Sequence, residues 1–178
     1  MKYSIVLYFD NETESKIQNI INSLVINGVN DYLILNNVPP HITLSDFDCD
    51  DLNEVAEKLH IEIKRMEKSY VYWASIGAFN PNILFFAPVL NEFLQGYCCM
   101  VHNVISNIAG IQHNKNYLPY QWVPHTTIAA KLDADCIDKA FSIVSNEFQG
   151  MGGYVTRAAL VQNNPRMDIK VWEMDSKI

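Results

Sequence analysis

The sequence predicts an α+β fold: a bilobal chain of two pseudo-symmetric lobes, each with an antiparallel sheet flanked by helices, and a cleft between them. Three observations predict it. Alternating, strand-like segments and segments of helical periodicity interleave along all 178 residues with no low-complexity linker. A short pattern occurs twice, as VPPHITLSDF from Val38 to Phe47 and as WVPHTTIAAKL from Trp122 to Leu132. Each copy stands in a comparable context, followed by an acid-capped helix and further strands. The expected organisation is a single domain over residues 1–178, made of two intertwined lobes.

The elements follow in order. Tyr3 to Phe9, rich in β-branched and aromatic residues, predicts a first strand. Asn11 to Glu14 fits a helix cap with a carboxylate three residues on, and Ile17, Ile20, Ile21, Leu24 and Val25 continue at helical spacing until Gly28. Tyr32 to Leu35 reads as a short strand, and Pro39-Pro40 forces an extended entry into the first histidine strand. Asp51 and Glu54 suit a capping box for a helix from Leu52 to Met66, a simpler reading of the acidic run Asp48 to Asp51 than a metal site.

Tyr70 to Phe79 and Ile83 to Ala87 predict a hairpin around Asn80-Pro81-Asn82. Val89 to Ile108 carries Leu90, Phe93, Leu94, Tyr97, Val101, Val104 and Ile108 at helical spacing and stops at Gly110. After the polar stretch Gln112 to Tyr120 comes the second histidine strand. Asp133 is expected to cap a helix to Phe148 with Ile137, Ala140, Phe141 and Val144 inward, broken by Gly150, Gly152 and Gly153. Tyr154 to Gln162 and Ile169 to Asp175 close the chain as a hairpin, with Asn163, Asn164 and Pro165 near its turn.

A net charge of −7 and a pI near 5.1 exclude a long electrostatic interface with nucleic acid, so any nucleotide or RNA partner is small or touched only at an end. The N-terminal apolar run alternates like a strand and is too short for a signal peptide, and no run approaches the length of a membrane span. Cys49, Cys98, Cys99 and Cys136 form no CxxC pair. A reduced, cytoplasmic protein, monomeric and without a membrane partner, is expected.

The repeat has a chemical meaning. Side chains at i and i+2 of a strand share a face, so His41 stands beside Thr43 and His125 beside Thr127, while Ile42, Leu44, Thr126 and Ile128 face the other way. Two imidazoles and two hydroxyls facing each other across a cleft suit a phosphodiester: one histidine as base, one as acid, and hydroxyls donating to the nonbridging oxygens. By the same alternation Ser45 continues the first face and Ala129 and Lys131 the second, which makes Lys131 a candidate phosphate-binding cation. Tyr72, Trp73, Phe79, Phe85, Phe86 and Trp122 are candidates to stack on a base.

Metal binding by the histidine pair lacks a third ligand at a standard spacing, and Asp46 is expected off the His41 face. No metal or cofactor is therefore expected. His60, His102 and His113 have no partner pattern and read as surface or packing residues. GMGG, from Gly150 to Gly153, lacks the GK[ST] of a phosphate loop and reads as a turn.

PPHITLSDF and YQWVPHTTIAAKL resemble the two signature strands of the 2H phosphoesterase superfamily, in particular the small bacterial 2',5' RNA ligase-like and cyclic phosphodiesterase branch. IGAFNPNILFFAPVLNEFLQGYCCMVHNVI is similar to the family's middle section. The resemblance spans about Val38 to Leu132. It implies a bilobal fold and metal-independent hydrolysis of a 2',3'-cyclic phosphate or 2',5' phosphodiester of a nucleotide or RNA end, with His41 and His125 catalytic and Thr43 and Thr127 binding phosphate. Some branches carry a basic residue just after the first motif. Ser45 and Asp46 stand there in this chain, which favours a small substrate over a polynucleotide. Two other readings stay open: a non-catalytic module that binds a nucleotide or RNA terminus, and a 2',5' RNA ligase.

Overall fold

The computed structural model describes residues 1–50, 52–79 and 82–175. Strand β1 (Lys2–Phe9) alternates between two environments. Tyr3, Ile5, Leu7 and Phe9 enter the main core, whereas Val6 and Tyr8 join Ala159 and Val161 in a small patch on the opposite face of the sheet. This division decides where the site lies, because every helix contributes to the main core.

Helix α1 (Asn11–Ile26) buries Ile17, Ile20, Ile21 and Leu24. Its cap is Asp10, one residue before the expected Asn11: the Asp10 carboxylate accepts the Thr13 N–H at 2.9 Å. Tyr32–Leu35 is a single helical turn, α2, and not a strand. Only Leu33 of it is buried, so it has no alternating face to pair, and Asn37 with φ of 51° turns the chain toward the first motif. Strand β2 (Ile42–Asp48) and helix α3 (Leu52–Ile63) follow. The helix stops three residues short of Met66, and the expected cap at Asp51 lies outside the described residues.

Strands β3 (Ser69–Phe79) and β4 (Ile83–Pro88) form the expected hairpin, whose Asn80-Pro81 turn lies outside the described residues. Helix α4 (Glu92–Ser106) starts later than expected because Asn91 caps it, accepting the Leu94 N–H at 2.9 Å. Val89 and Leu90 are left 52% and 50% exposed. Beyond β5 (Gln112–His113) and a 3₁₀ turn at Lys115–Tyr117 lie β6 (Thr126–Ala130) and helix α5 (Ile137–Glu147).

Asp133 does not cap α5 with its side chain. Its carbonyl accepts the Cys136 N–H, and the helix begins at Ile137 without a side-chain cap. Ala140 and Val144 face inward, but Phe141 is 48% exposed. Gly150, with φ of 81°, marks the break after this helix. Gly152 and Gly153 lie inside β7 (Met151–Asn163), where the Tyr70 ring and Thr13 occupy the space a Cβ would need. Strand β8 (Arg166–Glu173) completes the final hairpin.

The strands form one antiparallel sheet in the order β5-β2-β1-β7-β3-β4-β6, so the two sheet halves meet in β7. One edge of β7 pairs with β1, and its other edge is shared by β3 at the start and β8 at the end. Five strand spacings of about 4.8 Å separate β2 from β6 in that order, roughly 24 Å in a flat sheet. Yet their Cα atoms approach within 8 Å. The sheet therefore curls until its two motif strands meet. No helix among the described residues is long and apolar enough to cross a membrane.

Candidate active site

Each motif begins with a buried proline, Pro40 or Pro124, directly before its histidine. The residue before a proline is held in the extended region, which fixes the direction of its carbonyl. His41 Nδ1 lies 2.7 Å from the carbonyl of Pro39, and His125 Nδ1 lies 2.8 Å from that of Val123. A carbonyl can only accept. Both rings therefore carry their proton on Nδ1, which makes Nε2 the nitrogen that gains and loses a proton in each.

The strands then break their own alternation. Opposite β1, Ile5 pairs with Ser45 and Val6 with Thr43, which leaves Leu44 as an extra residue; opposite β4, Leu84 pairs with Ala129 and Phe85 with Thr127, which leaves Ile128 extra. Both are β-bulges, placed three residues after the histidine in each copy. In β2 Thr43 and Asp46 are half-buried while Leu44 and Ser45 between them are buried, and in β6 Thr127 and Ala130 are half-buried while Ile128 and Ala129 between them are buried.

These bulges correct three expectations. Asp46, and not Ser45, continues the face of His41 and Thr43, and Ser45 is only 1% exposed. Ala130, and not Ala129, continues the face of His125 and Thr127. Lys131 takes φ of 53° and sets its ammonium 4.7 Å from the centre of the Tyr32 ring, so its cation is engaged by α2. Asp46 itself accepts from Ser4, Asn163 and Asn114 at 3.1, 2.8 and 2.8 Å, an arrangement that ties the loop after β5 to the first motif.

Around His125 the surroundings are aromatic. The rings of Phe79, Phe85 and Tyr117 lie 4.9, 5.4 and 6.3 Å from it, centre to centre. A pocket of about 530 Å³ opens here, lined by Phe79, Tyr117 and the neutral side chains of Asn114, Asn116 and Gln121. Tyr117 bridges the motifs, because its phenol also hydrogen-bonds with Thr43. Burial and the nearby Asp46 carboxylate push that phenol up to about 12, against the Thr43 bond. Of the other aromatics considered for stacking, Trp73, Phe86 and Trp122 are core residues. Tyr72 is exposed on β3.

Burial also holds both imidazoles below the usual histidine range. His125 is lowered by burial against its bond to the Val123 carbonyl. His41 falls to about 3, first through burial, then through the positive charge of Arg166, with a smaller push from His125 and the Pro39 carbonyl acting against them. The charge of His125 is thus felt at His41. The Tyr8 ring stands edge-on to His41 at 6.5 Å, and its hydroxyl meets Arg166 and Asp168 of β8.

Tyr8, Tyr117 and Arg166 belong to neither copy of the repeated pattern. Alternation along β1 puts Tyr8 on the face opposite Leu7, a signal that was available. Tyr117 and Arg166 arrive through loop and hairpin geometry that leaves no periodic trace. Of the remaining histidines, His60 accepts the Trp172 indole N–H at 2.9 Å, and His102 packs its ring 4.3 Å from that of His113, which pairs with Phe47 at the end of the first motif.

In fold, the chain is similar to the Thermus thermophilus protein TT0787, with a TM-score of 0.65, 13% identity and 100% of each chain covered. Escherichia coli LigT gives a TM-score of 0.59 at 11% identity over 98% of each chain. A crystal structure described as a phosphoesterase gives 0.63 at 11% identity over 98% of this chain and 99% of its own. No curated protein matches the chain in sequence. The family model described as the 2'-5' RNA ligase superfamily matches residues 13–165, a span that takes in both histidine motifs, both bulges and the β3–β4 hairpin between them. The chain belongs to the 2'-5' RNA ligase superfamily, the 2H phosphoesterases, whose activity is of the phosphodiesterase or RNA-ligase type.

Proposed function

We propose that the chain is a metal-independent phosphodiesterase that opens a 2',3'-cyclic phosphate, or cleaves a 2',5' phosphodiester, in a nucleotide or at an RNA end. The observation that carries this reading is the matched histidine pair: each Nδ1 is bound to the carbonyl two residues earlier, so each Nε2 is the titrating nitrogen. His41, the more strongly depressed of the two, is neutral at pH 7 and acts as base. It removes a proton from water as the water oxygen bonds to phosphorus. The bond to the departing 2' or 3' oxygen breaks, and His125 Nε2 gives that oxygen a proton. Thr43 and Thr127 donate to the nonbridging oxygens, worth about 10²- to 10³-fold in rate for each such donor. The anionic substrate raises the affinity of both rings for protons, which keeps His125 protonated when it is needed.

A small substrate fits the rest of the site. The pocket beside His125 offers two aromatic walls and three neutral amides, a set suited to an uncharged planar base. Asp46 on the site face and the net charge of −7 oppose a long polyanion. LigT, of the same fold, has been crystallised with 3'-AMP, ATP and NADP+. The test is hydrolysis of a panel of 2',3'-cyclic mononucleotides and 2',5'-linked dinucleotides in EDTA. Turnover is expected on at least one class, and activity that requires an added divalent ion would overturn the metal-free scheme.

A further inference from the structure

We infer that Arg166, the first residue of β8, is the cation of this site: its guanidinium, steered by the Tyr8 hydroxyl on the face that carries His41, binds the phosphoryl oxygens of the substrate. The inference rests on the phosphodiesterase reading above and supplies what that reading lacks. A phosphodiester brings negative charge, and the motif strands offer no cation to meet it. Lys131 is turned to Tyr32, and the two positions that continue the motif faces hold Asp46 and Ala130.

Strand register brings Arg166 to the site. Residues directly paired across an antiparallel ladder share a face. Arg166 pairs with Asn163 and Asp168 with Val161, while Val161 pairs in turn with Ser4 on β1. Val161 and Tyr8 belong to the small patch on the sheet face opposite the main core, and Asn163 donates to Asp46, which lies on the His41 face. Arg166 is therefore placed by β8, β7 and β1 together.

The contacts of Arg166 leave its charge available. Its Nη2 donates to the Tyr8 hydroxyl at 3.1 Å, and that hydroxyl donates onward to Asp168 Oδ1 at 2.7 Å. A neutral phenol fixes the guanidinium without neutralising it. The chain has three arginines. Arg65 pairs with Glu62, and Arg157, whose guanidinium lies 5.5 Å from the centre of the Tyr8 ring, pairs with Glu14. Among the described residues no salt bridge engages Arg166. Among the described residues Tyr8 is the one hydrogen-bond partner of its guanidinium, so its remaining N–H groups can take two phosphoryl oxygens at once, the geometry for which a guanidinium is suited.

The charge of Arg166 also reaches His41, where it opposes protonation. The other charged or titratable groups around His41 are Tyr8 from β1, Asp168 from β8, His125 at the head of β6, Tyr117 and Asp46 beside Thr43, and Arg157 from β7 against Tyr8.

Arg166→Met and Arg166→Lys test the inference, with thermal unfolding as the check that each variant folds. Binding of inorganic phosphate by calorimetry is expected to weaken at least tenfold in Arg166→Met and to recover in part in Arg166→Lys. The titration of His41, followed by NMR, should move up in Arg166→Met and stay near wild type in Arg166→Lys. On a substrate that the wild type turns over, kcat/KM should fall about 10²- to 10³-fold in Arg166→Met. Unchanged phosphate affinity together with an unmoved His41 titration would overturn the inference whatever the turnover. Phosphate binding that depends on Arg166 in a protein that hydrolyses nothing would support the inference and sink the phosphodiesterase reading instead.

Discussion

Leu44 and Ile128 hold the same place in their strands: each is the extra residue of a β-bulge three positions after a motif histidine. A bulge re-aims the residues that follow it. In both motifs it turns the fifth residue after the histidine toward the site and the fourth away. The repeat is thus deeper than its shared letters, because the backbone irregularity is repeated too.

Beyond the bulge at Ile128, Lys131 sets its ammonium over the Tyr32 ring. Lys131→Ala is expected to leave kcat/KM within about twofold of wild type, whereas Thr43→Ala and Thr127→Ala should each lower it about 10²- to 10³-fold. Steady-state kinetics on one cyclic nucleotide checks all three. A loss in Lys131→Ala as large as in the threonine variants would mean that its ammonium leaves Tyr32 for the substrate.

The depressed His41 ties stability to pH. Folded His41 takes up its proton only near pH 3, while in the unfolded chain it does so near the ordinary value of 6.5. Between those limits the unfolded state binds more protons, so stability is lost as pH falls from 6.5 toward 3. Urea unfolding across pH 4 to 7 should show this slope in the wild type and a flatter one in His41→Gln. Parallel slopes would show that His41 does not carry it.

Thr126, between His125 and Thr127, faces inward and accepts the buried Trp73 indole N–H at 3.0 Å. Thr126→Val keeps the shape and strands that donor. A loss of about 1–3 kcal/mol in unfolding free energy is expected. A wild-type Tm would show that the indole finds another acceptor.

Gly77 lies under the ring that packs on His125. A Cβ at Gly77 would meet Phe85 Cζ at 2.5 Å, and Phe85 stacks on Phe79 while touching His125. Gly77→Ala is expected to destabilise the protein by about 1–3 kcal/mol through overpacking. It should also shift the His125 ring resonances in NMR spectra, whereas an unperturbed ring would show that Phe85 yields without moving its neighbour.

The sequence made the site's chemistry legible and left its surroundings hidden. Proline, histidine and threonine at fixed spacing in two copies were enough to name His41, Thr43, His125 and Thr127 as a candidate set. Strict alternation then failed at Leu44 and Ile128, because a bulge depends on the partner strand and leaves no local signature. That is why alternation alone puts Ser45 and Lys131 on the site face and Asp46 off it. Helix interiors were readable from periodicity, but their ends were decided by single bonds, from Asp10 to the Thr13 amide and from Asn91 to the Leu94 amide. Tyr32 to Leu35 has the composition of a strand, yet with one buried residue it has no sheet to join. Arg166 comes from the far end of the chain, and only the pairing of three strands brings it to His41.

The most direct test of the central claim is the pH dependence of kcat/KM on a 2',3'-cyclic nucleotide for wild type, His41→Ala and His125→Ala. A bell-shaped profile is expected for the wild type, with both variants reduced about 10²- to 10⁴-fold. His41→Ala should lose the acidic limb, where the base is protonated, and His125→Ala the alkaline limb, where the acid is spent. Either variant turning over within tenfold of wild type, with both limbs intact, would contradict the two-histidine account.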